Sequence, residues 1–474
     1  MADISNIFER ILNGRCEVIG LGISNVPLCK FLKEKGAKKI IGRDSKSESE
    51  LGEKASELKA IGVELVLGDS YLTGLGDTDT VIFRAPGIRP DVPEIKNAVY
   101  KGALLSSEME LFFELTKATV IAITGSDGKT TTTTLTKLLL EKQFEIEGRK
   151  RKVYVGGNIG EPLLPRVDEM TENDFAVVEL SSFQLMTMTR SADRAIVTNI
   201  TPNHLNWHTD MGEYTEAKLN VYKSNPNCQI TFNGKNDITS SLCKKASAGK
   251  ITSFALKRQD AESCAENRVF VENGSIIYAD SNGERDVIKV EDIKIPGLHN
   301  VENYMAAISA TYGLVSFDVI REVAKSFGGV EHRCEFVREL NGVKYYNSSI
   351  DSTPTRTVAA LSSFKDKVIV ICGGYDKHIP FDPLATALCK HAKAVVLTGA
   401  TANAIKDSII NCEDYCDGLF EIAECKEFTE AVKKAHSIAK TGDTVILSPA
   451  CASFDAFKNF EERGRKFKET VNSL

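Results

Sequence analysis

The sequence predicts an α/β protein of three domains, and three observations carry that expectation. Short apolar runs alternate with helical stretches along most of the chain, which is the pattern of parallel βαβ units. The alternation restarts near Ala118 and again near Val330. A chain of 474 residues also exceeds what one hydrophobic core organises, so two to four domains are expected.

In the first series CEVIGLG reads as a strand and Gly-containing turn leading into the helix VPLCKFLKEKG. KKIIGRD is the next strand, ASELKAIG a helix, VELVLG a strand and TVIFRAPGI another. The second series opens with the strand ATVIAIT, a Gly-rich loop and the helix TTTTLTKLLLEKQ, followed by the buried strands DFAVVEL and RAIVTNI. Between Lys235 and Asp292 the text turns polar and β-rich and reads as a meander inserted in that domain. Pro296-Gly297 closes it, and HNVENYMAAISATYGL is an amphipathic helix. Gly328-Gly329 reads as a hinge, after which GVKYYNSS, KVIVICGG, KAVVLTG and TVILSPA are strands with helices between them. The expected limits are 1–107 for an N-terminal Rossmann-like domain, 108–329 for a central P-loop domain and 330–474 for a C-terminal Rossmann-like α/β domain.

Composition narrows the function classes. The chain is 42% hydrophobic and 26% charged with a net charge of −6, so no general affinity for nucleic acid or an anionic membrane is expected. No stretch approaches the roughly 20 apolar residues of a membrane span, and the first residues do not pattern as a signal peptide. Twelve cysteines without a CxxC pair read as reduced and mostly buried, which makes the cytoplasm the expected compartment.

The strongest local signal is ITGSDGKTT at 123–131. A strand, a loop with Gly125 and Gly128, and a helix opening on Lys129-Thr130 suit a polyanion. Glycines let backbone N–H groups approach phosphate, the helix start adds partial positive charge, lysine reaches the outer phosphates and threonine ligates Mg²⁺. GLGISN at 20–25, with Asp44 about twenty residues on, has a mild likeness to a dinucleotide fingerprint, but a lone Gly-x-Gly is weak support for an oxidoreductase.

The shortened loop resembles that of the Mur ligase and folylpolyglutamate synthase superfamily. GGNIG (156–160), VVELSSFQL (177–185), TNITPNHLNWH (198–208), YTEAKLNVY (214–222), GLHNVEN (297–303), GGVEHRCEFV (328–337), GGYDKHIPF (373–381) and LSPACASFDAFKNFEERG (447–464) follow in that family's order. ELSSFQL and the last segment are similar to the branch that adds D-glutamate to UDP-N-acetylmuramoyl-L-alanine. The resemblance implies an ATP-dependent ligase with Mg²⁺, acting through an acyl phosphate in peptidoglycan precursor synthesis and expected to be a monomer.

What the resemblance implies for single residues can be set beside the blander reading of each. Gly125, Ser126, Asp127, Gly128, Lys129, Thr130 and Thr131 would grip ATP, with Asn300, Asn303, Arg333 and Asp376. The blander reading makes one of Asn300 and Asn303 a helix cap and Arg333 a surface residue beside the hinge. Thr130, Glu179, His204 and Lys218 would hold metal, the lysine as a carbamate; read without the family, Lys218 is a solvated residue on an amphipathic helix. Asn158 is expected at the γ-phosphate or a metal-bound water, on the side of the nucleotide sugar held by Ile23, Ser24, Asp44 and Gly87. His204, Ser352, Lys377, Ser453 at a helix entrance, and Phe454 and Phe460 would meet D-glutamate. His208 and Trp207 have no such support and read as structural.

The chain departs from the family at NSSIDSTPT, 347–355, where NDSKATN is typical. Ile350 replaces the motif lysine and Ser348 its aspartate, leaving Asp351, Ser352 and Arg356 as substitutes. Two other readings stand beside this one: another Mur-type or folylpolyglutamate-type ligase, and a regulatory P-loop NTPase.

Overall fold

The computed structural model describes residues 7–262 and 265–474, and it contains three sheets. The first is built from β1 (Arg15–Ile19), β2 (Lys39–Asp44), β3 (Glu64–Leu67), β4 (Thr80–Arg84) and β5 (Leu104–Ser106). Their order is β3-β2-β1-β4-β5 and every pairing is parallel. β4 is buried along its whole length, as strands covered on both faces must be. Gly20 leaves β1 at φ +84°, and a Cβ there would lie 2.6 Å from that of Ala85. Glycine therefore lets the 20–25 and 85–88 turns lie side by side at the carboxyl edge of the sheet, where open α/β sheets bind ligands.

The second sheet comprises β6 (Thr119–Thr124), β7 (Val153–Gly157), β8 (Phe175–Glu179), β9 (Arg194–Val197), β10 (Gln229–Asn233), β11 (Lys250–Ala255), β12 (Asn267–Glu272), β13 (Ser275–Asp280) and β14 (Gly283–Lys289). They run β14-β13-β12-β11-β10-β9-β6-β8-β7. The expected inserted meander is corrected here: β11 pairs in parallel with β10 and β12 in parallel with β11, so both extend the same sheet. Only β12, β13 and β14 form an antiparallel meander. The inner end of β11, Thr252–Ala255, is buried, so its run is an interior strand rather than a surface hairpin.

The third sheet holds β15 (Glu335–Leu340), β16 (Val343–Asn347), β17 (Val368–Cys372), β18 (Ala392–Thr398), β19 (Glu421–Cys425) and β20 (Thr444–Leu447), in the order β15-β16-β20-β17-β18-β19. β15 alone is antiparallel, joined to β16 through Asn341 and Gly342 at φ +53° and +76°. Two positive φ values are what a tight type I′ hairpin demands, and Asn-Gly supplies them at least cost.

The chain divides into two compact units, Met1–Val290 with Glu302–Ile320, and Glu291–Val301 with Arg321–Leu474. In the first, one apolar cluster runs from Ile7 through Val120 and Val197 to Cys243. In the second, separate clusters include Val370 and Leu384 in one, and Ile371 and Phe467 in the other. Successive β17 residues thus face opposite layers, as strand geometry requires. Eleven described cysteines are free, most of them buried, as expected; Cys264 lies outside the described residues. Among the described residues no helix is long and apolar enough to cross a membrane.

Candidate active site

The loop after β6 is shaped by its glycines. Gly125 has φ +146°, and a Cβ there would sit 1.9 Å from the Thr198 hydroxyl oxygen; at Gly128, φ +79°, it would sit 2.4 Å from Asn303 Oδ1. Gly128 caps the helix Lys129–Ile146 without a side chain, leaving the first amides of that helix for an anion. The loop is braced from the next strand end. Thr198 Oγ1 donates to the Asp127 carbonyl at 2.6 Å, and Asp127 N donates to Asn199 Oδ1 at 2.9 Å. Ser126 Oγ is 2.9 Å from the Tyr214 hydroxyl and accepts from Thr201 N at 3.0 Å. Ser126 is thus a loop anchor. The Lys129 ammonium donates to the Gly125 and Ser126 carbonyls at 3.1 and 2.9 Å. Thr130 is half-buried in the first turn and Thr131 is buried.

Glu179 ends β8, one strand from the loop, and is 2% exposed. Its Oε1 accepts from Asn158 Nδ2 at 3.0 Å, and its carbonyl from Asn158 N at 2.8 Å. Its Oε2 is buried without a hydrogen-bond partner. A buried carboxylate oxygen left unsatisfied is costly, and a cation is what such an atom is built to meet. Lys218, in the helix Met211–Leu219, is 1% exposed. This corrects the solvated reading of its segment. Its ammonium donates to the Gly125 carbonyl at 2.8 Å and the Thr124 hydroxyl at 3.4 Å, and lies 4.6 Å from the centre of the Tyr214 ring. Burial, then the charge of Lys129, holds Lys218 well below the usual lysine range, against the opposite pull of Asp127 and Glu179. His204 is exposed, at φ +56°, with its ring 4.9 Å from that of Phe183. Partial burial, then Lys129 and Lys218, lower its pKa, which favours the neutral, ligating imidazole.

Of the residues expected to hold a nucleotide sugar, Asp44 is committed to backbone amides, accepting from Leu21 N in the turn after β1 at 2.7 Å and from Lys46 N at 2.9 Å. Ser24 precedes the helix Asn25–Glu34 without a side-chain cap, Ile23 is 77% exposed, and the space beside Gly87 is open. Sequence reading passed over Arg84 and Arg89 nearby and took Trp207 as structural. Trp207 Nε1 donates to the Gly87 carbonyl at 3.2 Å, and Arg89 forks onto both oxygens of Glu213 at 3.1 and 2.9 Å while pairing with Asp91.

In the second unit, Asn300 is buried and donates to the Pro296 carbonyl at 2.6 Å. Asn303, in the first unit, accepts from Thr132 Oγ1 at 3.3 Å. The helix runs Leu298–Thr311, so both asparagines lie within it and neither caps it. Arg333 follows Gly329, at φ +111°, and its amide donates to the Val330 carbonyl at 2.9 Å. Asp351 accepts from Ser448 Oγ at 2.8 Å. Burial pushes its carboxyl up to about 6, against hydrogen bonds from Ser348 and Ser448 and the charges of Arg333 and Arg356. Asp351 therefore faces inward, whereas Lys377 Nζ reaches Ser352 Oγ at 3.4 Å and Arg356 Nη1 reaches the Ile350 carbonyl at 3.2 Å. Asp376 accepts from His378 N at 2.7 Å.

The expected helix entrance at Ser453 is also corrected. Ser453 is 2% exposed in a turn, its carbonyl accepting from Phe457 N at 2.8 Å. The helix begins at Phe460, capped by Asn459, whose side chain accepts from Glu462 N. Phe454, 65% exposed, consequently lies outside the helix that Phe460 opens. Arg463, also missed, is buried and bonds the Cys451, Ala452 and Ser349 carbonyls at 3.1, 3.0 and 2.9 Å. It ties the turn before Ser453 to the loop that departs from the family pattern.

A glycine loop between strand and helix, a lysine on it, and a buried carboxylate one strand away define a P-loop enzyme of nucleoside triphosphates. The chain belongs to the Mur ligase family. The family model described as "Mur ligase middle domain" matches residues 123–311 and "Mur ligase, glutamate ligase domain" matches 332–451. A UDP-N-acetylmuramoylalanine--D-glutamate ligase of Ruminiclostridium cellulolyticum is 47% identical over 468 residues, 98% of this chain and 97% of the relative. The same-named protein of Clostridium perfringens is 46% identical, with 99% of each chain covered. Among solved structures, that of a UDP-N-acetylmuramoyl-L-alanyl-D-glutamate--2,6-diaminopimelate ligase shares the fold, with a TM-score of 0.56, 17% identity, and 85% of this chain and 93% of that one covered. The chain is an ATP-dependent ligase of this family.

Proposed function

We propose that this enzyme joins D-glutamate to the alanyl carboxylate of UDP-N-acetylmuramoyl-L-alanine, with ATP cleaved to ADP and phosphate. The observation that carries the substrate assignment is the 47% identity across 98% of the chain with a relative of that name. The carboxylate oxygen attacks the γ-phosphorus and ADP leaves. The amine of D-glutamate then attacks the acyl carbon and loses a proton, and the tetrahedral intermediate collapses with cleavage of the bond from carbon to the phosphate oxygen. An anion must attack a polyanion, so the protein's task is alignment and charge neutralisation.

The loop amides of residues 125–131 and the Lys129 ammonium hold the phosphates, with Asn303 at the adenine side; Asn300, Arg333 and Asp376 are the further residues assigned to ATP. Thr130, Glu179 and His204 hold Mg²⁺, for which the unsatisfied Glu179 Oε2 supports the reading. Mg²⁺ takes few protein oxygens and completes its shell with phosphate and water; bound here it would neutralise phosphate charge. Lys218 is proposed to bear a carbamate. Only a neutral amine adds CO₂, releasing a proton and becoming a carboxylate. A lysine buried against a carbonyl and a hydroxyl, with no carboxylate among the described residues hydrogen-bonded to it, favours the neutral form.

Ile23, Ser24, Asp44, Gly87 and Asn158 serve the nucleotide sugar. Lys377, Ser352, Ser453, Phe454 and Phe460, with His204, serve D-glutamate, and Arg356 takes the place of the lysine lost at Ile350. The domains follow the limits 1–107, 108–329 and 330–474, and the enzyme works as a monomer in the cytoplasm. With Mg²⁺-ATP, phosphate release is expected only when UDP-N-acetylmuramoyl-L-alanine and D-glutamate are both present. A panel of amino acids checks this: equal turnover with L-glutamate, or none with D-glutamate, would refute the assignment.

A further inference from the structure

The 85–88 turn has an unusual set of hydrogen bonds. Arg84, which ends β4 and is 1% exposed, donates through Nη1 to the Ala85, Pro86 and Ile88 carbonyls at 3.2, 2.9 and 2.5 Å. Trp207 Nε1 takes the fourth carbonyl, that of Gly87. Every carbonyl of the turn thereby accepts a hydrogen bond from a side chain. The same donors reach further. Arg84 Nη2 bonds the Phe183 carbonyl at 2.9 Å, in the segment that follows Glu179. Arg89 bonds the Trp207 carbonyl at 2.5 Å, stacks on its ring at 4.9 Å and forks onto Glu213. Glu213 lies in the first turn of the helix that carries Lys218. His208 joins the two attachments, its ring nitrogens 3.1 Å from Glu213 Oε2 and 2.9 Å from Ser182 Oγ.

These partners are expensive for a purely mechanical joint. Arg84 is a buried guanidinium whose hydrogen-bond partners are carbonyls and one hydroxyl, with no carboxylate among them. Burial, then the charge of Arg89, pushes its pKa down to about 10. Apolar residues would join two layers at lower cost. A planar fork fixes direction as well as distance, which is what a substrate-bearing turn needs. We propose that Arg84, Arg89 and Trp207 are positioning residues: they bolt the 85–88 turn to the two segments that carry Glu179, His204 and Lys218, and so fix the nucleotide sugar's carboxylate against the γ-phosphate. The inference rests on the proposed function, in which this turn holds the nucleotide sugar. The carboxylate that accepts the phosphoryl group and the phosphate site are then referenced to one rigid frame.

The test uses the full-length enzyme with Mg²⁺-ATP, UDP-N-acetylmuramoyl-L-alanine and D-glutamate, comparing wild type with Trp207→Phe and Arg89→Met. Misplacement near 1 Å costs roughly 100-fold in rate. Arg89→Met is expected to lower kcat about 30-fold and Trp207→Phe, which keeps the ring and loses one N–H, about 10-fold. KM for ATP and D-glutamate should stay within about threefold, because the interactions removed align rather than bind. The double variant should fall no further than about twofold below Arg89→Met, since both residues hold the same turn. Unchanged kcat in Trp207→Phe, or a loss confined to thermal stability and the KM for ATP, overturns the inference and leaves the proposed function standing. Absence of wild-type turnover overturns both.

Discussion

Lys218→Ala is expected to lower kcat on the order of 1,000-fold, the scale for removing a preorganised charge at a phosphoryl site, and acetate or formate should restore a substantial part. The argument begins with burial. Lys218 is 1% exposed and surrounded by the Gly125 carbonyl, the Thr124 hydroxyl and the Tyr214 ring. An ammonium there would be poorly compensated, so the amine is favoured, and addition of CO₂ to it would place an anion there. Alanine leaves a cavity that a small carboxylate can enter. Lys218→Arg keeps a cation, cannot form the carbamate and fills the cavity, so it should be inactive and beyond rescue. Full activity of the unrescued alanine variant would remove the carbamate from the account.

Glu179→Gln should cost about 100- to 1,000-fold in kcat and raise the Mg²⁺ concentration for half-maximal rate more than tenfold. The amide is nearly isosteric and its oxygen can still accept from Asn158 Nδ2, as Oε1 does at 3.0 Å. What changes is the charge, and with it the unsatisfied Oε2. Activity measured across a Mg²⁺ titration separates the two consequences. An unaltered Mg²⁺ requirement would place the metal elsewhere.

How much of this the sequence disclosed depends on how local each signal is. Strand, glycine loop and helix at 119–146 are contiguous, and their shape follows from backbone chemistry, so the phosphate loop was readable directly. Lys218 was not, because EAKLNVY has the pattern of an ordinary amphipathic helix and its burial comes from packing against the distant 124–126 loop. Arg89 was less visible still. Its partners Trp207 and Glu213 lie 118 and 124 residues away in sequence, a separation no periodicity encodes. The misplaced helix entrance at Ser453 has a different cause. SPACAS contains small residues that suit a helix start, yet Ala450 adopts φ +59°, and the stronger signal, Asn459 followed by Glu462, lay further along. The polar residues of 250–289 similarly hid parallel strands whose neighbours are supplied by the rest of the sheet.

The central claim is that this site activates a carboxylate by phosphorylation. UDP-N-acetylmuramoyl-L-alanine carrying ¹⁸O in both carboxylate oxygens, turned over with Mg²⁺-ATP and D-glutamate, tests it most directly. Collapse of the tetrahedral intermediate sends the bridging oxygen out with phosphorus, so the account predicts one ¹⁸O in each released phosphate by mass spectrometry. Phosphate containing no ¹⁸O, while the amide is formed, would contradict it.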